Sequence, residues 1–186
     1  MNSTNFNNSF LSEVKEVIDN LDIEDLESVI NVIQDVKKEN RRIFFCGSGG
    51  GAGHSSHAAC DFRKLLNIES YSLTDNVSEL TAQINDNSWE KSYREIMKSS
   101  NFSKNDCLFV FSVGGGSIDP PISTQIVNAI DYALETEGKV VGIVGKDGGY
   151  TRAKGTASIL IPTISDSLIT AHTEGMQAYL WHFIVS

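Results

Sequence analysis

The chain has 186 residues, enough for one domain with a sizeable core, and 40% hydrophobic residues with 15 glycines fit a globular α/β protein rather than a disordered one. A net charge of −9 and a pI near 4.8, with no clustered Lys/Arg face, argue against nucleic acid as a partner, because phosphate backbones demand concentrated positive charge. Three cysteines without a CxxC pair read as buried, reduced thiols, and the absence of a signal pattern or a bilayer-length apolar run points to a cytoplasmic protein with no membrane contact.

Residues 1–8 are polar and Asn-rich and are expected to be loose. From Phe10 to about Lys38, apolar residues recur at helical spacing (Leu11, Val14, Val17, Ile18, Leu21, then Leu26, Val29, Ile30, Ile33, Val36). The acidic stretch around Asp22 divides them into two helices, the second starting near Ile23–Asp25. Their apolar faces serve core or subunit packing.

Ile43–Cys46 is a short, wholly apolar run, as a central parallel strand requires. It ends in Gly47-Ser48-Gly49-Gly50-Gly51, and a helix carrying His57 and Asp61 follows. Free N–H groups and the positive dipole end of that helix make the turn an anion site, phosphate being the natural guess; a tight connection that binds nothing is the alternative. Glu69–Leu73 is a second strand, and residues 77–102 form short helices around an Asn85-Asp86-Asn87 turn.

The pattern then repeats. Asp106–Ser112 is a buried strand ending in a second glycine turn, Val113–Ser117, and a helix is expected from about Pro121 with Ile122, Ile126, Ile130 and Leu134 on one face. Lys139–Val144 is a strand leading into Gly145–Gly149 (GKDGG), Ser158–Pro162 the last strand, and Ser167–Ser186 one helix bearing Glu174, Gln177 and His182. Strands alternating with helices imply an α/β fold: a doubly wound, mostly parallel five-stranded sheet flanked by helices. The whole chain reads as one domain, with a helical segment over 1–40 and an α/β core over 41–186. Ligands of such sheets sit beyond the carboxyl ends of the strands, where both glycine turns fall.

His57 and Asp61 are four apart, so they project from one helix face; they can relay a proton, share a divalent ion, or simply pair on a helix surface. His182 lies between Trp181 and Phe183, where a hydrogen-bonded core histidine is the default. Neither a dinucleotide fingerprint nor a P-loop is present.

The segments GSGGGAGHSSHAACD, FSVGGGS and GIVGKDGG, in that order, resemble the sugar isomerase (SIS) domain, and within it the phosphoheptose isomerase family, which converts sedoheptulose 7-phosphate to D-glycero-D-manno-heptose 7-phosphate. The resemblance implies a ketose–aldose isomerase of heptose and cell-surface polysaccharide precursor synthesis, a bound zinc ion, and a homotetramer packed through the N-terminal helices. By position it places Ser48, Gly49 and Gly50 on the substrate-contacting first loop, and Asn85 and Asp86 on a further substrate-contacting pair. Ser112, Val113, Gly114 and Ser117 fall on the phosphate loop. Asp61 and His182 fall on the catalytic pair, Glu174 on a glutamine that touches substrate and metal, and His57 on a metal ligand; the implied metal set is His57, Asp61, Glu174 and His182. Several positions depart from the pattern: Asp61 stands for a glutamate, Glu174 for a glutamine, Ser48 for an asparagine, Gly51 for a serine, and Val113 and Gly114 for two hydroxyl residues. The alternative is a non-catalytic SIS module that binds a sugar phosphate or a protein as a regulator. On a straight helix Glu174 and His182 are about 12 Å apart along the axis, so both serve one ion only if the helix begins after Glu174 or two subunits share the site.

Overall fold

The computed structural model describes residues 3–186. Two amphipathic helices come first, α1 (Ser3–Asp19) and α2 (Ile23–Lys38). Asp22 caps α2 by accepting from the Glu24 N–H at 2.8 Å, which is why the break falls there. Contrary to the expected loose N-terminus, residues 3–8 are helical; of the leading polar segment only residues 1 and 2 lie outside the description. The alternating units are β1 (Ile43–Gly47), α3 (Gly50–Leu66), β2 (Ser70–Ser72), α4 (Val77–Asp86), α5 (Trp89–Ser99), β3 (Cys107–Ser112), α6 (Thr124–Glu135), β4 (Lys139–Val144), α7 (Gly149–Lys154) and β5 (Ala157–Leu160). A 3₁₀ turn at Asp166–Leu168 leads into α8 (Ile169–Val185).

All four strand pairings are parallel, in the order β2-β1-β3-β4-β5. Side chains alternate across this sheet. Ile43, Phe45, Cys107, Phe109, Phe111, Val141 and Ile143 meet α1, α2, α3 and α8 on one face. Phe44, Cys46, Leu108, Val110 and Val140 meet α5 and α6 on the other. With both faces covered, the strands read as continuous apolar runs. The Phe45 ring packs within 5.0 Å of Phe62 and 5.1 Å of Phe109, so truncating it would cost about 3–5 kcal/mol.

Two expectations shift. The helix after the second glycine turn starts at Thr124 rather than Pro121, because Ser117 and Ile122 exchange backbone hydrogen bonds (2.9 and 3.1 Å) and close a small hairpin first. Of the three cysteines, Cys46 and Cys107 are buried but Cys60 is exposed. Burial pushes the Cys46 thiol up and Cys107 up to about 12, so both stay protonated. No helix among the described residues is long and apolar enough to cross a membrane.

Candidate functional site

The carboxyl ends of β1 and β3 lie side by side, so the two glycine turns face each other. Between them is a cleft of about 330 Å³, walled by Ser48 and Gly51 from the first turn and Ser112, Val113 and Gly114 from the second. The start of α8 covers it with Ile169, Thr170, Glu174 and Gln177. The N-terminus of α3 has no side-chain cap; the Gly51, Ala52 and Gly53 N–H groups turn back onto the Ser48 and Gly49 carbonyls at 3.0, 3.1 and 3.3 Å, which leaves the Gly50 N–H for a ligand. The Ser48 hydroxyl accepts from Gln125 Nε2 at 2.6 Å and keeps its own proton to donate. The Ser112 hydroxyl accepts from the Gly115 N–H at 3.0 Å and is placed in the same way. Tyr93 donates to the Gly47 carbonyl at 2.6 Å, and burial pushes its phenol up, so it remains a neutral donor that fixes the end of β1.

The second turn is held by the GKDGG segment. Tyr150 N–H donates to the Gly116 carbonyl at 2.8 Å and Thr151 N–H to that of Gly115 at 2.9 Å, while the Thr151 hydroxyl also reaches Gly115 O at 2.7 Å. Gly145 N–H donates back to Val113 O at 3.1 Å. The backbones touch so closely that a Cβ on Gly115 (φ 70°) would be driven into the Gly148 carbonyl.

A second group of side chains lies further along α3 and α8. Asp61 Oδ2 faces His57 Nε2 at 3.6 Å and His182 Nε2 at 3.5 Å, and accepts from Trp181 Nε1 at 3.3 Å. His57, Asp61 and His182 each offer a ligand atom, all within 4.8 Å of one another. Contrary to the default of a core histidine, His182 is half exposed, and its Nδ1 donates to the Ala178 carbonyl at 2.7 Å. That bond fixes the tautomer and leaves the Nε2 lone pair aimed at Asp61. Two imidazole nitrogens and a carboxylate oxygen, each steadied by an outer hydrogen bond or by packing, make a donor set that fits zinc with an open position.

Glu174 does not join this cluster. Because α8 begins at Ile169, Glu174 and His182 share one helix and stand about 12 Å apart along its axis. The Glu174 carboxylate instead lies over Gly50, where any Cβ would collide with it. It sits at the positive end of α3, in the cleft, and the expected four-ligand metal set reduces within this chain to three. Ser117 is likewise displaced: it lines an adjoining hollow with Ile118, Asp119 and Tyr150, which shares Gly114, Ile122 and Lys146 with the cleft. Asn85 and Asp86 sit exposed at the end of α4, bonded to each other at 2.9 Å, and do not line the cleft. Gly49 is exposed at the head of α3.

Between cleft and cluster, Gln177 Nε2 donates to the Ile143 carbonyl at 2.9 Å, so its Oε1 accepts from His54 Nδ1 at 3.1 Å. His54 in turn packs against Trp181, ring centroids 5.1 Å apart. Ser123, Thr170, Gln125 and His54 carry no local sequence pattern, and Lys146 is marked only as part of GKDGG; the tertiary fold brings them to the two turns and the α3–α8 seam.

Two adjacent glycine turns at the carboxyl edge of a 2-1-3-4-5 parallel sheet, with a histidine–carboxylate cluster beside them, define a sugar isomerase-type domain. The chain belongs to the SIS domain family, whose model matches residues 5–145. Among known proteins it is similar to the phosphoheptose isomerase of Clostridium acetobutylicum, 28% identical over 159 residues, which make up 81% of this chain and 77% of that protein. The phosphoheptose isomerase of Aliarcobacter butzleri is 27% identical over 145 residues, 75% of this chain and 73% of the relative. In backbone, the chain superposes on the phosphoheptose isomerase of Neisseria gonorrhoeae with a TM-score of 0.82, covering 98% of this chain and 94% of the other at 22% identity, a likeness of fold.

Proposed function

We propose that the protein is a ketose–aldose isomerase of sugar phosphates, cytoplasmic and tetrameric, with sedoheptulose 7-phosphate as substrate and D-glycero-D-manno-heptose 7-phosphate as product. The observation that carries the reading is Asp61 Oδ2 set between the Nε2 atoms of His57 and His182. The similarity to phosphoheptose isomerases supports the substrate class, and the cleft between the glycine turns supplies N–H and hydroxyl donors for a phosphate.

The reaction needs little. A proton leaves C1 of the ketose and returns to C2, while the hydroxyl proton on O1 passes to O2; no outside oxidant or reductant takes part. Asp61 has a second oxygen, Oδ1, not engaged by Trp181 or the imidazoles, and this is the base that takes and returns the carbon proton. Trp181 holds the carboxylate in place, and the Ala178 carbonyl holds the His182 ring. His57, Asp61 Oδ2 and His182 would hold a zinc ion, which when bound polarises the sugar's carbonyl oxygen. The His182 Nε2 lone pair serves one task at a time: it holds the ion or, in the metal-free protein, carries the hydroxyl proton.

The test is to incubate the purified protein with sedoheptulose 7-phosphate and other ketose phosphates, with and without added zinc. Formation of an aldose phosphate is expected, and its absence with every ketose phosphate in both conditions would leave the regulator reading in place.

A further inference from the structure

The GKDGG segment has a job in holding the second turn, but that job uses its backbone and leaves Lys146 unexplained. Lys146 stands at the lip of the cleft and is the one basic side chain among the residues lining it. It takes part in none of the ion pairs among the described residues, although Glu174 lines the same cleft, and Asp166 on one side and Asp119 and Asp147 on the other line neighbouring hollows with it. Its position is built rather than incidental. The Gly145 N–H is tied to Val113, and the Gly148 N–H closes a turn onto the Gly145 carbonyl at 2.9 Å, so the residue between them is fixed over the second glycine turn. The aliphatic stem runs across Gly114, where a Cβ would meet Lys146 Cδ at 3.8 Å.

The backbone adds a second observation. Lys146 has φ 53°, a left-handed conformation that non-glycine residues other than asparagine rarely adopt. Among the described residues, seven non-glycine residues have positive φ; four are asparagines, and of the remaining three, Ser123, Glu137 and Lys146, two line this cleft. A glycine or asparagine would relieve the strain at position 146, so stability is not what keeps a lysine there.

The cleft also has a charge problem that a cation solves. The Glu174 carboxylate already sits at the positive end of α3, and Val113 and Gly114 bring no hydroxyl donors to the second turn. A phosphate entering there meets a negative neighbour, and the side-chain donors around it, the Ser48, Ser112, Ser123 and Thr170 hydroxyls, are all neutral. We infer that Lys146 is the counter-charge for the substrate's phosphate, and so the residue that selects phosphorylated sugars; this rests on the sugar-phosphate reading above. Its ammonium on a flexible stem reaches into the cleft and gives the phosphate a charge-assisted hydrogen bond that the second turn lacks.

The test measures binding of sedoheptulose 7-phosphate to the full chain by calorimetry, for the wild type, K146M, K146N and K146R, each with its melting temperature. K146M keeps the stem without the charge and should bind about ten- to a hundredfold more weakly, with affinity less sensitive to salt, while K146R should stay near the wild type. K146N should melt no lower than the wild type, since asparagine tolerates the left-handed backbone, yet bind as poorly as K146M. If the wild type binds and K146M binds equally well, the inference falls while the sugar-phosphate reading stands. A K146N protein that melts several degrees lower but binds normally per folded molecule would make the lysine merely structural. If the wild type binds no ketose phosphate, both fall together.

Discussion

The contact between the second glycine turn and the GKDGG segment is the feature most open to a quantitative test, and Gly115→Ala probes it. Gly115 has φ 70°, and its Cα faces the Gly148 carbonyl with no room for a methyl group. An alanine held in the left-handed region costs about 1–2 kcal/mol. Forcing the two backbones apart adds about 1–3 kcal/mol of overpacking. Separation also weakens the paired Thr151 bonds to Gly115 O, now at 2.9 and 2.7 Å, by about 1 kcal/mol net. Together these give on the order of 3–6 kcal/mol, which in a domain of this size lowers the melting temperature by about 10–20 °C. Thermal unfolding followed by far-UV circular dichroism measures it. Gly53→Ala is the control: Gly53 lies exposed inside α3 with nothing within 4 Å of its would-be Cβ. That change should stabilise by about 0.5–1 kcal/mol. If Gly115→Ala melts within about 3 °C of the wild type, the two segments do not depend on each other and the loop argument fails.

Glu13 on α1 accepts from the Ser165 hydroxyl at 2.6 Å and meets His172 Nε2 at 3.1 Å, and these partners, Ser165 foremost, hold its carboxyl below the ordinary value of 4.5. A carboxyl depressed on folding contributes stability that is complete above its ordinary value and is lost as pH falls through the lower folded value. Melting temperature should therefore drop on acidification below pH 4.5, and E13Q should start lower at neutral pH and flatten that acid limb; an unchanged acid limb in E13Q would refute the assignment. Gly50→Ala should push the Glu174 carboxylate out of the cleft at a cost below about 1.5 kcal/mol, because a side-chain end can swing away, while shifting sugar-phosphate affinity measurably; unaltered affinity would show Glu174 to be a bystander. Light scattering at micromolar concentration should give a mass several-fold above 20.4 kDa, since Phe6, Leu11 and Ile18 leave α1 with an exposed apolar face; a monomer would refute tetramer packing.

Most of the architecture is legible in the sequence because each strand is a bounded apolar run with a glycine or helical pattern behind it. Lys139–Val144 coincides with β4, and the acidic break at Asp22 with the cap of α2. The short helix α7 escapes notice, since six residues carry too little periodicity, and α1 runs into a polar segment because the Phe10 ring packs on His172 at 5.1 Å and extends the helix's anchorage. The site is only partly legible. His57, Asp61 and His182 converge because α3 and α8 pack together, which no local spacing reveals. The second glycine turn reads as a phosphate cradle, yet at Gly115 the lack of a side chain is used up against Gly148. Glu174 is separated from His182 simply because the helix starts five residues before it.

The central claim is that Asp61 moves the substrate's carbon proton, and Asp61→Asn tests it most directly. Asparagine keeps the size of the side chain and an oxygen for the Trp181 N–H, at present 3.3 Å away, so the fold should be retained. Turnover of sedoheptulose 7-phosphate should nonetheless fall by about 10²–10⁴, with KM changing far less. An Asp61→Asn protein that turns over at the wild-type rate would contradict the account.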